Sequence, residues 1–436
     1  MHPRVLIVGT VPYNKKSTSR AFESYFSGWE KENLAQIFSN TKTPCKGHCE
    51  TLFQITDSRM LKRRLNKKVD TGVIYRYEDL PDEWTDTSLE VDSKVHTGLY
   101  KLGRKHSPLT HLGRKFVWRK KYWCTEKLNA WLDEFRPQCV FLSFSDDFFI
   151  PEIALYAAKR YNIPIVSSIG DDYYFNTKFS LNPIYLLYKY AYRRLIRKVF
   201  RHPGTAIYIG NKIRDKYNEA FGLRGETVYL TSEIPRRDFA PIRKENPSIN
   251  YFGNITMGRN VSLNEIGLAL GRIDPSYVLN VYSNTTDKED VAVFDGNPNV
   301  CFHGSVPYSE VQKRTLESDL VVLVEGFTKK AIDITRYSLS TKAADSLASG
   351  GNIFVYGSME CGLIEYMAST GAAVCSDQSK LEDSLRRLLT DEAYQRELYE
   401  KAKIAAETNH ILAQSTAIFR GVVRRAMEEY PHAAAE

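Results

Sequence analysis

The sequence lacks any apolar run near the ~18 residues that a membrane-spanning helix needs, and it has no short internal repeat and no low-complexity segment. Cysteine is sparse: 7 in 436 residues, widely scattered. That excludes a disulfide framework and suits the reduced thiols of a cytoplasm. Cys45 and Cys49 frame Lys46-Gly47-His48, but no second ligand pair follows at zinc spacing, so no metal site is expected. Acidic residues are scarce in one half only. Residues 1–240 carry 40 Lys/Arg against 26 Asp/Glu, and the rest carry 20 against 26. A basic half joined to an acidic half suggests that the first faces something anionic.

What is present is alternation. Solid aliphatic runs such as Val5–Val8, Cys139–Phe144, Ile163–Ser167, Leu320–Val324 and Ile353–Tyr356 read as strands buried on both faces. Helix-length segments lie between them, among them Arg114–Phe135, Ile184–Phe200 and Ser340–Ser349. The opening run ends in a Gly-Thr loop after four apolar residues, so it reads as a strand and not as a signal peptide. This βαβ rhythm predicts α/β architecture with doubly wound parallel sheets. Prolines 235, 241 and 247 mark a linker. The expected layout is a Rossmann-like domain over 1–235 with an insertion at about 67–112, a second over 236–408, and a C-terminal helix over 409–436 that packs back on the first. A ligand cleft is expected between the two domains.

Two strand-to-helix turns stand out. Tyr251-Phe-Gly253-Asn254-Ile-Thr-Met-Gly-Arg259 places a glycine for close backbone approach and an arginine at a helix start. Ser340-Thr341-Lys342-Ala-Ala-Asp345 places a lysine in a first helical turn, where the helix dipole disfavours a cation unless an anion binds there. Two such corners fit one diphosphate, the group that an activated sugar sheds. Asp345, at i+3 from Lys342, can accept hydrogen bonds from ribose hydroxyls or simply pair with the lysine. Glu360 can be a hydroxyl acceptor or a helix-start acid. Gly304, in His303-Gly-Ser-Val-Pro307, can border a nucleotide base, and Glu325-Gly-Phe points toward the same edge.

The first half offers an acceptor side. Gly9 and Thr10 follow the first strand and Arg20 lies just beyond. Asp146-Asp147 and Asp171-Asp172 lie at strand C-terminal ends, where such sheets place function. Each pair can cap a helix, bind an acceptor hydroxyl, orient the sugar or bind a metal; substrate positioning is favoured over metal because Arg259 and Lys342 already supply positive charge. Two basic, aromatic-rich stretches, Gly103–Lys121 and Lys189–His202, fit an anionic lipid surface, nucleic acid, or plain solvated helix faces.

On these residues the chain resembles the GT-B glycosyltransferases, particularly glycosyltransferase family 4. The family's Tyr-x-Gly-Arg-x4-Lys-Gly is similar to Tyr251-Phe-Gly253-Asn254-x4-Arg259-Asn260, with Asn254 in place of the first arginine. Its Ser-x-Lys-x-x-Glu-Tyr-x-Ala-x-Gly is similar to Ser340-Thr-Lys342-Ala-Ala-Asp345-Ser-Leu-Ala348-Ser-Gly350, with aspartate for glutamate. Phe302-His-Gly304 looks like the family's Phe-x-Gly. Gly170 stands where some members have histidine, and Ser338 where many have an acid. The likeness covers about 250–390 well, and 1–230 by layout.

The resemblance implies a GT-B fold and a retaining transfer of a hexose from a nucleotide-diphosphate sugar, with no cofactor and no required metal. Taken with the reading of the residues themselves, the expected catalytic residues are Arg259, Lys342, Asp171 and Asp172. Donor binding falls to Gly253, Asn254, Arg259, Gly304, Ser340, Thr341, Lys342, Asp345 and Glu360, and acceptor binding to Gly9, Thr10, Arg20, Asp146 and Asp147. The expected acceptor is a lipid-linked glycan in cell-surface or capsular polysaccharide synthesis. The protein is expected in the cytoplasm, at the anionic inner face of the plasma membrane, without a nucleic-acid partner. Two alternatives remain at this stage: a nucleotide-sugar epimerase or hydrolase of the same fold, and a non-catalytic module that binds membrane or nucleic acid.

Overall fold

A computed structural model describes residues 2–13, 20–66, 68–83, 107–175 and 180–430. The chain divides into two compact units. The first takes residues up to Tyr208, Arg214–Val228 and Thr416 onward; the second takes Ile209–Ile213 and Tyr229–Ser415.

The first unit is built on an eight-stranded sheet of order β4-β3-β2-β1-β5-β6-β7-β8. Its strands are β1 (Val5–Val8), β2 (Leu34–Phe38), β3 (Thr51–Ile55), β4 (Gly72–Arg76), β5 (Cys139–Ser143), β6 (Ile165–Ile169), β7 (Gly204–Tyr208) and β8 (Glu226–Thr227). All neighbours are parallel except β3 and β4. The stretch read as an insertion therefore contributes an antiparallel edge strand; its residues 84–106 lie outside those described. The segment expected as one helix over Arg114–Phe135 belongs to three, Pro108–Val117, Lys120–Trp123 and Glu126–Phe135. The Ser107 and Thr125 side chains cap the first and third. Trp118 and Trp123 are buried at the breaks. Phe419, Val422, Val423 and Ala426 of the C-terminal helix (Leu412–Glu429) join Val5, Ile7, Phe26 and Phe141 in this unit's core.

The second unit has a wholly parallel six-stranded sheet of order β11-β10-β9-β12-β13-β14. Its strands are β9 (Ile249–Phe252), β10 (Leu279–Tyr282), β11 (Val300–Gly304), β12 (Leu320–Val324), β13 (Asn352–Tyr356) and β14 (Val374–Ser376). In chain order this is 3-2-1-4-5-6, the doubly wound arrangement, with its switch point between β9 and β12. Strand β12 shows why the sheet is sandwiched. Leu320, Val322 and Val324 enter one core cluster and Leu323 enters another, so apolar side chains are buried on both faces.

Leu323 is 2 % exposed. Leu323→Ala is therefore expected to cost about 2–5 kcal/mol through lost burial and the cavity left behind. Urea denaturation checks this, and a cost near zero would contradict a packed second face.

Candidate active site at the switch point of the second sheet

Strands β9 and β12 pair in parallel, Leu320 beside Ile249 and Val321 beside Asn250. Their carboxyl ends therefore open side by side. The chain leaves β9 through Gly253 (φ 142°), then passes Met257 (φ 60°) and Gly258 (φ 78°) before the helix Arg259–Ile273 begins. Three left-handed or near-mirror residues in six make a tight turn that brings backbone close to whatever it faces. A Cβ on Gly326 would collide with the Met257 carbonyl, and one on Gly253 with the Lys342 ammonium. The two turns thus touch backbone to backbone, and the lysine lies over Gly253.

This packing gathers three charges. Arg259 donates from Nε (2.9 Å) and Nη2 (2.7 Å) to Glu325 Oε2. Glu325 sits immediately after β12 and its side chain is 4 % exposed. Ser262 Oγ donates to the Glu325 carbonyl at 2.9 Å, which fixes that turn against the Arg259–Ile273 helix. Lys342 opens the helix Lys342–Ser349, and its Nζ lies 5.1 Å from the Tyr251 ring centroid. Ser340 Oγ accepts from Lys342 N–H at 3.4 Å, and Ser340 carbonyl from Ala343 N–H.

Titration follows from this crowding. Burial pushes the Glu325 carboxyl above its usual range, with Arg259 and Lys342 opposing. Burial and the nearby Arg259 pull the Lys342 ammonium down to about 8, with Glu325 opposing. Unfolded lysine keeps its proton to its ordinary value, so between these values the unfolded chain binds more protons. This group therefore makes folding more favourable as pH rises through 8. One carboxylate, ion-paired to Arg259 and attracting Lys342, faces two half-buried cations, and the residual positive charge suits an anion.

The other donor-side candidates hold different partners. Asn254 shapes the turn: its Oδ1 accepts from Thr256 N–H at 2.6 Å and its carbonyl from the Tyr251 hydroxyl at 2.6 Å. Thr341 stands at the cap position before Lys342, without a capping bond from its side chain. Asp345 is buried and accepts from Ser232 Oγ at 2.6 Å, which fastens the segment following β8 to this helix. Glu360 is exposed and pairs with Arg336 at 2.8 Å. Gly304 ends β11 with φ 74°. Beside it, His303 stacks on Tyr282 at 4.6 Å and Tyr282 on Phe252 at 5.2 Å. Gly253, Arg259 and Lys342 thus meet, together with Glu325. Sequence reading placed Glu325 at the edge and missed it as the counter-ion. The available signal was an acid directly after a five-residue aliphatic strand next to the first strand of the domain.

In the first unit the two aspartate pairs divide alike. Asp147 binds Arg114 and His111, and Arg114 also binds Asp57 at 3.0 Å. Burial pushes the Asp147 carboxyl up, and His111 and Arg114 outweigh this and hold it below its usual range. Asp172 Oδ1 accepts from Tyr174 N–H (3.0 Å), Phe175 N–H (2.8 Å) and the Tyr217 hydroxyl (2.9 Å). Its Oδ2 is buried without a hydrogen-bond partner among the described residues. The second member of each pair is thus tied into the fold, and Asp146 Oδ1 accepts from the Tyr188 hydroxyl at 3.4 Å. Asp146 and Asp171 are exposed, and both raise the pKa of half-buried Tyr173, behind the effect of its desolvation. Gln36 Nε2 donates to Thr10 Oγ1 (2.7 Å) and to its carbonyl (2.9 Å). Gly9, at φ 99°, lies so close to the Ser143 carbonyl that a Cβ would collide with it. Residues 14–19 and the Arg20 side chain lie outside what the structure describes.

No family model matches the chain, and no curated protein sequence does. Solved structures do. Anabaena HepE in complex with UDP is 10% identical with TM-score 0.57, covering 97% of this chain and 100% of that one. WaaG, a glycosyltransferase involved in lipopolysaccharide biosynthesis, is 12% identical with TM-score 0.52, covering 98% and 99%. A glycosyltransferase from Rickettsia africae is 11% identical with TM-score 0.51, covering 97% of each. The protein has the GT-B fold over nearly its full described length.

Removing the carboxylate leaves two half-buried, mutually repelling cations without their counter-ion. Glu325→Gln is expected to lower stability by about 3 kcal/mol. The double variant Glu325→Gln/Lys342→Met is expected to recover part of that loss. Equilibrium urea unfolding reads both, and a neutral Glu325→Gln would contradict the charge balance described.

Proposed function

We propose that this protein is a retaining glycosyltransferase that moves a hexose from a nucleotide-diphosphate sugar to a lipid-linked glycan acceptor. The observation that carries the reading is the meeting of Arg259 and Lys342 at the switch point of the second sheet, beside Gly253. Doubly wound sheets bind nucleotides at that crevice. The fold is that of solved glycosyltransferases, and one similar structure holds UDP.

In this reading the bond from the anomeric carbon to the diphosphate oxygen breaks while the acceptor oxygen bonds to the same face of that carbon. The acceptor's proton passes to the departing phosphate. Arg259 and Lys342 stabilise the charge that develops on the diphosphate, which is why no metal is required. The diphosphate competes with Glu325 for Arg259. Asp146 and Asp171, the exposed members of their pairs, position the acceptor. The charge split supports an acceptor held at an anionic membrane surface, on the cytoplasmic side, in cell-surface or capsular polysaccharide synthesis.

Thermal-shift screening of nucleoside diphosphates tests the reading and identifies the base, since a ligand of the native state raises stability by mass action. No shift with any of them would contradict it. Lys342→Ala is expected to cut transfer about 10²-fold or more. Lys342 carries its proton below about pH 8 and loses it above. Affinity for inorganic pyrophosphate is therefore expected to fall as pH rises through 8, and calorimetry above pH 8 should show proton uptake on binding. A pH-independent affinity would remove Lys342 from the site.

A further inference from the structure

The helix Pro183–Phe200 carries an outward face that the proposed chemistry does not use. Asn182 caps it, accepting from the Ile184 and Tyr185 N–H groups. Its inner face is buried: Tyr188 stacks against His111 and Tyr192, and Leu195, Ile196 and Val199 enter the unit's interior. The outer face changes character along its length. Leu181 just before the helix is 84 % exposed, Leu186 52 %, Leu187 58 % and Tyr190 64 %. Four large apolar side chains on ten residues of one surface are not the scattered singles of an ordinary exterior. At helical spacing the same stripe continues as Arg194, Arg197, Lys198 and Arg201, all exposed.

Along the chain the charge of this stripe has one sign, although Glu152 on the neighbouring helix lies close enough to attract Lys198. No Asp or Glu occurs between Asp172 and Asp215. The side chains of Arg194, Lys198 and Arg201 make no hydrogen bond or close ion pair among the described residues, and the Arg197 side chain donates to the Tyr174 hydroxyl at 2.7 Å. From Leu187 to Lys198 the helix rises about 16 Å. An apolar end with a cationic collar above it matches the acyl boundary and the phosphate layer of a bilayer leaflet. A second copy of this chain is a poor occupant. An isologous contact would set cations against cations. Nucleic acid would use the cations but not exposed leucines. No described helix is long and apolar enough to cross a membrane.

We propose that this face docks the first unit on anionic phospholipid, with Leu181, Leu186, Leu187 and Tyr190 entering the acyl boundary and Arg194, Arg197, Lys198 and Arg201 at the lipid phosphates. It rests on the membrane part of the function proposed above and gives that part a surface. The diphosphate site stands or falls separately.

The test is co-sedimentation of the full chain with vesicles of phosphatidylcholine alone and of phosphatidylcholine mixed with phosphatidylglycerol. The wild type is expected to bind the anionic vesicles, to leave the neutral ones, and to weaken with salt. Leu186→Ser/Leu187→Ser is expected to lose at least about tenfold in partitioning, and Arg194→Gln/Lys198→Gln about fivefold per charge removed. Both should keep the wild-type thermal shift with inorganic pyrophosphate, which shows that they fold. No binding of the wild type to anionic vesicles overturns the proposal. So does a loss confined to the charge variant, which would leave the apolar end outside the lipid. So does a concentration-dependent dimer that the leucine variant abolishes. Vesicle binding without any pyrophosphate shift in the wild type would sink the transferase reading and leave the docking face intact.

Discussion

Glu325 pairs with Arg259 close to Lys342, and much of the local geometry at this corner follows from keeping those three groups together. A buried cation needs a partner, and two buried cations near one another need one more urgently. The protein supplies a single carboxylate from the end of β12. It then closes the corner with backbone: Gly326 against the Met257 carbonyl, Gly253 under the lysine, Ser262 on the Glu325 carbonyl. The corner is stable enough to fold around and one charge short of neutral. A polyanion arriving there finds donors already oriented, and reorganisation, which is costly in water, is largely done beforehand.

The first unit solves a related problem differently. Its strand ends carry two aspartate pairs, and in each the second aspartate is committed to structure. Asp147 neutralises Arg114, and Asp172 gathers two backbone N–H groups and a tyrosine hydroxyl. These commitments tie down the turns that carry the exposed Asp146 and Asp171, near the common neighbour Tyr173. A carboxylate fixed by its sequence neighbour costs less to orient than one on a free loop.

Sequence reading found what local pattern determines. Aliphatic strands such as β1, β12 and β13 were visible because burial on both faces leaves no polar position. Strand β3 was missed because Thr51 and Gln54 interrupt it. Both are buried and satisfied from afar, Thr51 Oγ1 by Trp131 and Gln54 Nε2 by the Asn40 carbonyl. The break in the expected Arg114–Phe135 helix was equally hidden, since it depends on where Trp118 and Trp123 find a core. In the site, Gly253, Arg259 and Lys342 could be singled out because glycine and a cation at a helix start are unusual locally. The partners of Asp345 and Glu325 could not, since Ser232 and Arg259 lie far from them along the chain and only the sheet order brings them near.

The most direct test of the account is a crystal structure of the protein with a bound nucleoside diphosphate. The phosphates should lie within hydrogen-bond reach of both the Arg259 guanidinium and the Lys342 ammonium, with the Arg259–Glu325 contact loosened. A nucleotide bound elsewhere, with Arg259 still closed on Glu325 and Lys342 untouched, would contradict it.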